Sequence, residues 1–151
     1  MNLEEIRRHC LSLPHATEMV QWGADLVFKI GGKMFAVTPT EVAPVQLSFK
    51  CTPENFVELC ERAGVIPAPY LARAQWVALE TLGAIPDAEL RNLLAESHKL
   101  VWEKLPKKVR EELTQAKQRQ SMEERSGAAG GQKSTRKASA KRGNKPKRRE
   151  R

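Results

Sequence analysis

The sequence contains no long hydrophobic run and only three cysteines, and both absences exclude classes of protein. No stretch of the 151 residues approaches the roughly 18 consecutive apolar residues that a transmembrane helix requires. The N-terminal residues 1–5 include two acids and no base, so we expect no signal peptide. Cys10, Cys51 and Cys60 form an odd, scattered set, which is typical of free thiols in a reducing compartment. These features predict a cytoplasmic protein that has no disulfide framework and no membrane partner.

Motifs for catalysis and for metal binding are also lacking. His9, His15 and His98 lie in three separate segments, and no cysteine or histidine pair has the spacing of a metal site. A nucleophilic pair of Cys10 with His98 stays open as a minor alternative, although nothing marks an orienting partner or an oxyanion site. We expect His98 instead to pack or to hydrogen-bond on its helix. The sequence therefore predicts no enzyme, no catalytic residue, no metal and no cofactor.

Positive charge is abundant but unevenly distributed. The chain has 26 Lys and Arg residues against 18 Asp and Glu residues, which gives a net charge of +8. Residues 1–106 carry a net charge of −3, whereas residues 107–151 carry +11. The sequence therefore predicts a slightly acidic folded domain followed by a strongly basic extension.

Hydrophobic periodicity predicts helices at both ends of the domain and strands between them. Asn2 is positioned to cap a first helix, and Thr52 followed by Pro53 marks the start of a second. Two alternating apolar runs flank Gly31 and Gly32, a pattern that predicts a β-hairpin turn rather than a phosphate-binding loop. The pattern indicates a two-layer α+β fold in the order α-β3-α-β2-α, with an antiparallel sheet of about five strands covered by helices.

Several finer expectations follow from the same patterns. Residues 67–69 are expected to form a rigid linker and residues 75–80 a strand, and Asp87 is expected to cap the third helix. One alternating run predicts a strand with a single buried face, formed by Val45, Leu47 and Phe49. Three tryptophans at apolar positions, one in each of three elements, are expected in the core: Trp22, Trp76 and Trp102.

The C-terminal part of the chain changes in composition. We expect a domain over residues 1–113 and a helical extension over residues 114–125. Residues 126–151 contain no Leu, Ile, Val or aromatic residue, so burial cannot offset the entropy of ordering them. They include ten basic residues and one acid, Glu150. The sequence predicts a disordered, Lys/Arg-rich tail over residues 126–151.

Six segments carry a resemblance to a known family: Cys10-Leu11-Ser12-Leu13-Pro14, the run from Val27 to Phe35, Phe49-Lys50-Cys51, the strand of Trp76, Ser97-His98-Lys99-Leu100-Val101 and Leu105-Pro106-Lys107-Lys108. Over about residues 2–113, the domain resembles the bacterial MmcQ/YjbR family. The resemblance implies an antiparallel α+β fold like that of secretion chaperones or of CyaY, and a DNA-binding role without a catalytic residue set. Before the tryptophan strand, similar sequences often carry Lys or His, whereas Arg73 is the nearest cation here.

The basic residues are the strongest indication of function. A flexible polycationic segment binds a polyphosphate backbone by releasing counterions, without a fixed geometry. We therefore predict a non-enzymatic DNA-binding protein, with RNA as a further ligand and a nucleoid-associated location within the cytoplasm. The expected contacts in the domain are Lys29, Lys33, Lys50 and Arg73. The expected contacts in the tail are Lys133, Arg136, Lys137, Lys141, Arg142, Lys145, Lys147, Arg148, Arg149 and Arg151.

An alternative function stays open at this point. The likeness to secretion chaperones suggests a module that binds a protein or a peptide on its sheet face. An exposed apolar patch on the sheet would favour protein partners. A cluster of Lys29, Lys33, Lys50 and Arg73 would favour phosphates. The sequence leaves the oligomeric state open.

Overall fold

A computed structural model describes the backbone of residues 1–144 and the side chains of residues 1–126. The described backbone contains four α-helices, six strands and two short 3-10 turns, at Ala72–Ala74 and Leu82–Ala84. The helices are α1 (Leu3–Ser12), α2 (Pro53–Cys60), α3 (Asp87–Lys104) and α4 (Lys107–Asn144). The strands are β1 (Thr17–Gln21), β2 (Asp25–Ile30), β3 (Lys33–Pro39), β4 (Leu47–Lys50), β5 (Val65–Pro67) and β6 (Trp76–Leu79).

All six strands form one antiparallel sheet, in the order β1-β2-β3-β4-β6-β5. The predicted α+β class is therefore confirmed, with six strands where the sequence predicts about five. The additional strand lies before α2, where the predicted order has three strands and the structure has four. After α2 there are two strands, as predicted, and the first of them, β5, includes part of the predicted linker. Pro67 is tolerated there because β5 is an edge strand. On its open side there is no neighbouring strand to which a backbone N–H would donate, so the missing N–H of proline costs no hydrogen bond between strands on that side.

Capping groups explain where the first two helices begin. The Asn2 side chain accepts a hydrogen bond from the Glu5 N–H at 2.8 Å, and the Glu5 carboxylate accepts one from the Asn2 N–H at 2.9 Å. Thr52 caps α2 in the same way, ahead of Pro53. The prediction for α3 is wrong, because Pro86 occupies the N-cap position and Asp87 is the first helical residue. The Asp87 carboxylate instead pairs with the Met1 ammonium group at 2.8 Å.

The main core lies between the sheet and the helices. Helix α3 contacts β2, β3 and β4, while α2 contacts β5 and β6. A single buried hydroxyl connects these layers: Ser97 Oγ on α3 donates to the Phe35 carbonyl at 2.6 Å and accepts from the Lys50 N–H at 3.1 Å. Fully buried large side chains of this core include Ile6, Phe28, Phe35, Phe49, Leu90 and Leu94.

The second face of the sheet carries a smaller apolar cluster. Trp76 is 4% exposed, and it packs there with Ala68 and Ala78. Strand β4 therefore differs from the prediction of one buried face, since Ser48 is also buried. Partly buried residues around the cluster are Met34, Val37, Val45, Ile66 and Leu71.

The three tryptophans have three different environments. Trp76 is buried as expected, Trp102 is half-buried, and Trp22 is 66% exposed, so the prediction of a core position is wrong for Trp22. Trp22 lies in the tight turn after β1, with a φ of 51°. Its side chain is exposed because the turn extends past the last residue pair of the β1–β2 ladder, Gln21 with Asp25.

The chain divides into two compact units, Met1–Arg110 and Glu111–Arg151. The predicted helical extension over residues 114–125 lies within α4. The predicted disordered tail covers residues 126–151. The structure describes no side chains from residue 127 onward, and residues 145–151 lie entirely outside the described residues. That prediction stays a prediction. In the part of the chain that is described, no helix is long and apolar enough to span a membrane.

Candidate nucleic-acid interface

The four cations that the sequence predicts as contacts in the domain lie at one end of the sheet. Lys29 is near the end of β2 and pairs with Met34, while Lys33 begins β3 after the hairpin turn. Lys50 ends β4 and pairs with Trp76. Arg73 lies in the 3-10 turn directly before β6. The antiparallel topology thus brings together residues that are up to 44 positions apart in the sequence.

Lys50 is the most constrained of these cations. Its ammonium group donates a hydrogen bond to the Ala74 carbonyl at 2.7 Å. Partial burial lowers the pKa of Lys50, and the positive charge of Lys104 lowers this pKa further. A bound anion would favour the charged form of Lys50 and would offset its repulsion from Lys104.

Three lysines that the sequence argument missed lie at this same end. The turn between β2 and β3 sits against the junction of α3 and α4, because a Cβ on Gly31 would lie 2.7 Å from Leu105 Cδ1. The lysines on either side of Leu105 are exposed. Leu105 is apolar, but the sequence gives no sign of which strand end it contacts. We define the basic end as Lys29, Lys33, Lys50, Arg73, Lys104, Lys107 and Lys108.

Acidic residues begin or follow elements at the opposite end of the sheet. Asp25 starts β2, Glu80 follows β6 and Asp87 starts α3. Three carboxylates lie near the basic end. Glu54 is in the first turn of α2, Glu103 precedes Lys104, and Glu96 accepts a hydrogen bond from the Asn55 side chain at 2.8 Å. The net charge of −3 over residues 1–106 therefore conceals a separation of charge along the sheet.

Two arginines outside the basic end are held in ion pairs. Arg7 on α1 pairs with Glu18 on β1 at 2.6 Å, and Arg62 pairs with Glu89 at 2.7 Å. Each arginine lowers the pKa of its carboxylate partner by hydrogen bonding. These guanidinium groups connect elements of the fold, so they contribute less to attracting an external anion than the basic end does.

Two thiols and His98 have the properties of structural residues. Burial raises the pKa of Cys10 to about 12 and that of Cys51 to about 11, so neither thiol is ionised at neutral pH. His98 packs as expected, against Phe35, but its hydrogen bond leaves its own helix: Nε2 donates to the Pro14 carbonyl at 2.7 Å. Among the residues described, no group of three His, Cys, Asp or Glu side chains is placed to hold a metal ion.

The tail cations lie outside the side chains that the structure describes. They remain candidate contacts on charge alone, and no geometry bears on them. They are Lys133, Arg136, Lys137, Lys141, Arg142, Lys145, Lys147, Arg148, Arg149 and Arg151.

Comparisons with known proteins agree with the fold. The family model YjbR matches residues 11–100 of this chain. The uncharacterized protein YjbR of Escherichia coli K12 is 27% identical over 119 residues, which covers 76% of this chain and 99% of that protein.

Two solved structures are similar to this one. The crystal structure of Deinococcus radiodurans protein DR2400, with a family-model domain DUF419, has a TM-score of 0.67 at 33% identity, covering 75% of this chain and 88% of that one. A crystal structure of a Pseudomonas syringae protein has a TM-score of 0.55 at 20% identity, covering 66% of this chain and 98% of that one. The second likeness concerns the fold alone.

Proposed function

The chain belongs to the YjbR family, and we propose that it is a non-enzymatic, cytoplasmic protein that binds DNA through phosphate contacts. The observation that supports this proposal is the basic end, where seven cations share one end of the sheet and the charge of Lys104 lowers the pKa of Lys50, after the larger effect of partial burial. Binding a row of phosphates would remove this repulsion. RNA offers the same phosphate chemistry and is included in the proposal.

The two basic regions would contribute in different ways. Phosphate contacts position a protein on nucleic acid but carry no sequence information of their own. The tail supplies attraction without a fixed geometry, while the basic end supplies a fixed set of cations on a rigid sheet. We therefore expect binding that depends on salt and is independent of base sequence, with the nucleoid as its location.

The test measures the affinity of the full chain for a duplex across a series of salt concentrations. One variant replaces two exposed lysines of the basic end, K33Q/K104Q. Its matched control, R8Q/R91Q, removes two exposed arginines that lie on α1 and in the first half of α3. The slope of log K against log salt changes by about 0.9 for each phosphate contact on duplex DNA. We expect the first variant to flatten the slope by about 1.8 and the control to leave it unchanged.

A second variant tests the tail within the full chain. Replacing Lys145, Lys147, Arg148 and Arg149 by glutamine should reduce affinity and flatten the slope further. Absence of binding by the unmodified chain at low salt would refute the proposal. Equal losses from K33Q/K104Q and from R8Q/R91Q would refute the role of the basic end.

A second candidate function rests on a different observation. The sheet face is covered by the Trp76 cluster, but Met19 and Val20 on edge strand β1 are 47% and 59% exposed. Exposed apolar residues on an open strand edge are typical of a protein-interaction module. This function predicts that V20K abolishes association with a protein partner or self-association in sedimentation, while K33Q/K104Q changes neither.

A further inference from the structure

We propose that a cleft beside the basic end binds one unstacked nucleotide, with its base on an aromatic platform and its phosphate near a lysine. The inference rests on the proposed function and narrows its ligand to single-stranded nucleic acid. The cleft has a volume of about 350 Å³. We call it the aromatic cleft, and its lining residues are Pro14, His15, His98, Lys99 and Trp102.

Two parallel rings form the platform of the aromatic cleft. The His15 ring stacks on the Trp102 indole, with 5.4 Å between ring centroids and 13° between ring planes. His15 has a φ of 61°, a left-handed conformation that is unfavourable for residues other than glycine. In this conformation the imidazole lies parallel to the indole.

Hydrogen bonding and packing hold the cleft in shape. His98 Nε2–H donates to the Pro14 carbonyl at 2.7 Å, which ties the loop between α1 and β1 to helix α3. The edge of Phe35 contacts the His98 ring at a centroid distance of 5.3 Å, with 89° between the planes. His98 is 7% exposed, so its role is to position the loop that carries His15. The cleft is therefore formed before any ligand arrives, and the ordering cost of binding is low.

The position of the cleft connects it to the basic end. Thr17, two residues after His15, pairs with Lys29 on β2. On α3, Lys99 lines the cleft, and Lys104 follows Trp102 by two residues. A nucleotide chain on the basic end would therefore have a base-sized, ring-lined site within reach.

The chemistry of the aromatic cleft selects a nucleotide. Parallel aromatic rings offer a flat surface on which a nucleobase can stack as a further ring. Base–aromatic stacking is the usual basis of single-strand binding. The exposed ammonium of Lys99 supplies a phosphate contact at the rim. In a duplex the base faces are covered by their neighbours, so only an unpaired or terminal base would enter. A free mononucleotide has the same chemistry, and the test separates the two sources.

The experiment compares four ligands on the full chain: a 12-nucleotide DNA strand, its duplex, an abasic strand of equal length and charge, and adenosine monophosphate. We expect the base-containing strand to bind about tenfold more tightly than the abasic strand, since one stacked base contributes at this scale. The variant H15G removes the ring at a backbone conformation that glycine adopts without strain, and it should abolish that ratio. W102L should do the same from the other side of the stack.

The matched control is W22G. It also removes an aromatic ring from a residue with positive φ, but at an exposed turn outside the aromatic cleft. It should leave the ratio of the two strands unchanged. Thermal unfolding of each variant checks that the fold is retained.

The outcomes separate this inference from the proposed function. Equal affinity for the base-containing, abasic and duplex ligands would overturn the inference and leave the proposed function standing. In a third outcome, the unmodified chain binds adenosine monophosphate but no polynucleotide, and H15G loses that binding. This result would support a nucleotide site and overturn the proposed function. The inference would also be overturned if H15G and W102L bound the base-containing and abasic strands with the same ratio of affinities as the unmodified chain.

Discussion

The hydroxyl of Ser97 gives the sharpest test of how the layers of this fold are held together. Its Oγ donates to the Phe35 carbonyl at 2.6 Å and accepts from the Lys50 N–H at 3.1 Å. The described pairing of β3 with β4 covers only two residue pairs, Ala36 with Phe49 and Val37 with Ser48. The hydroxyl therefore bridges the two strands just beyond the point where their ladder ends.

Replacing Ser97 by alanine would leave both backbone groups without this partner. Ser97 is 0% exposed, so water has no direct access to replace the hydroxyl. A buried polar group that loses its hydrogen bond costs about 1–3 kcal/mol. Two such groups lower the free energy of unfolding by about 2–4 kcal/mol, after allowance for partial rearrangement.

Urea unfolding of the full chain, followed by tryptophan fluorescence, measures this change. The midpoint should fall with an unchanged m-value, because the fold itself is retained. Ser12→Ala is the matched control, since the exposed Ser12 hydroxyl also donates to a backbone carbonyl, that of His9, at 2.6 Å. Its effect should stay within about 0.5 kcal/mol, as for most surface substitutions. If S97A is no more destabilising than S12A, the bridge does not hold the strands together.

Two further predictions concern the hairpin turn and an ion pair. The free energy of unfolding in urea should be lower for Gly31→Ala than for Gly32→Ala by about 1–3 kcal/mol. Both glycines have positive φ, but only a Cβ on Gly31 would meet Leu105, at 2.7 Å. Equal losses of stability would contradict the packing of this turn. Glu18→Gln should lower the urea midpoint at pH 7 and lose this effect as the pH falls through the folded-state pKa of Glu18. Arg7 holds that pKa below its usual value of 4.5, so the carboxylate stabilises the fold only while it is ionised. A difference between Glu18→Gln and the unmodified chain that is independent of pH would show that the charge is not responsible.

Features that depend on neighbours in sequence were predictable. The capping box of Asn2 with Glu5 and the cap of Thr52 before Pro53 both form as the sequence indicates. The hairpin at Gly31 and Gly32 forms for the same reason, since both glycines adopt positive φ. Each of these features is decided within a few residues, where backbone geometry and hydrogen bonding leave few choices.

Features that depend on distant partners were not predictable. Asp87 has the residue type of a helix cap, but its carboxylate pairs with the Met1 ammonium, a partner 86 positions away. Trp22 has the residue type of a core position, but it lies in the turn between β1 and β2, beyond the end of their ladder, and is exposed there. The four cations at Lys29, Lys33, Lys50 and Arg73 were named from the sequence. Their common location, and the addition of Lys104, required the register of the strands.

The separation of charge along the sheet also bears on how the domain would approach a long polyanion. A domain with an excess of cations at one end and an excess of carboxylates at the other has an electric dipole along the strands. The field of a polyphosphate would rotate such a domain before contact, so that the basic end arrives first. Orientation during diffusion would raise the fraction of collisions that are productive, and added salt would reduce this gain together with the affinity. Reversing the dipole, with unchanged net charge, should therefore slow association more than it speeds dissociation.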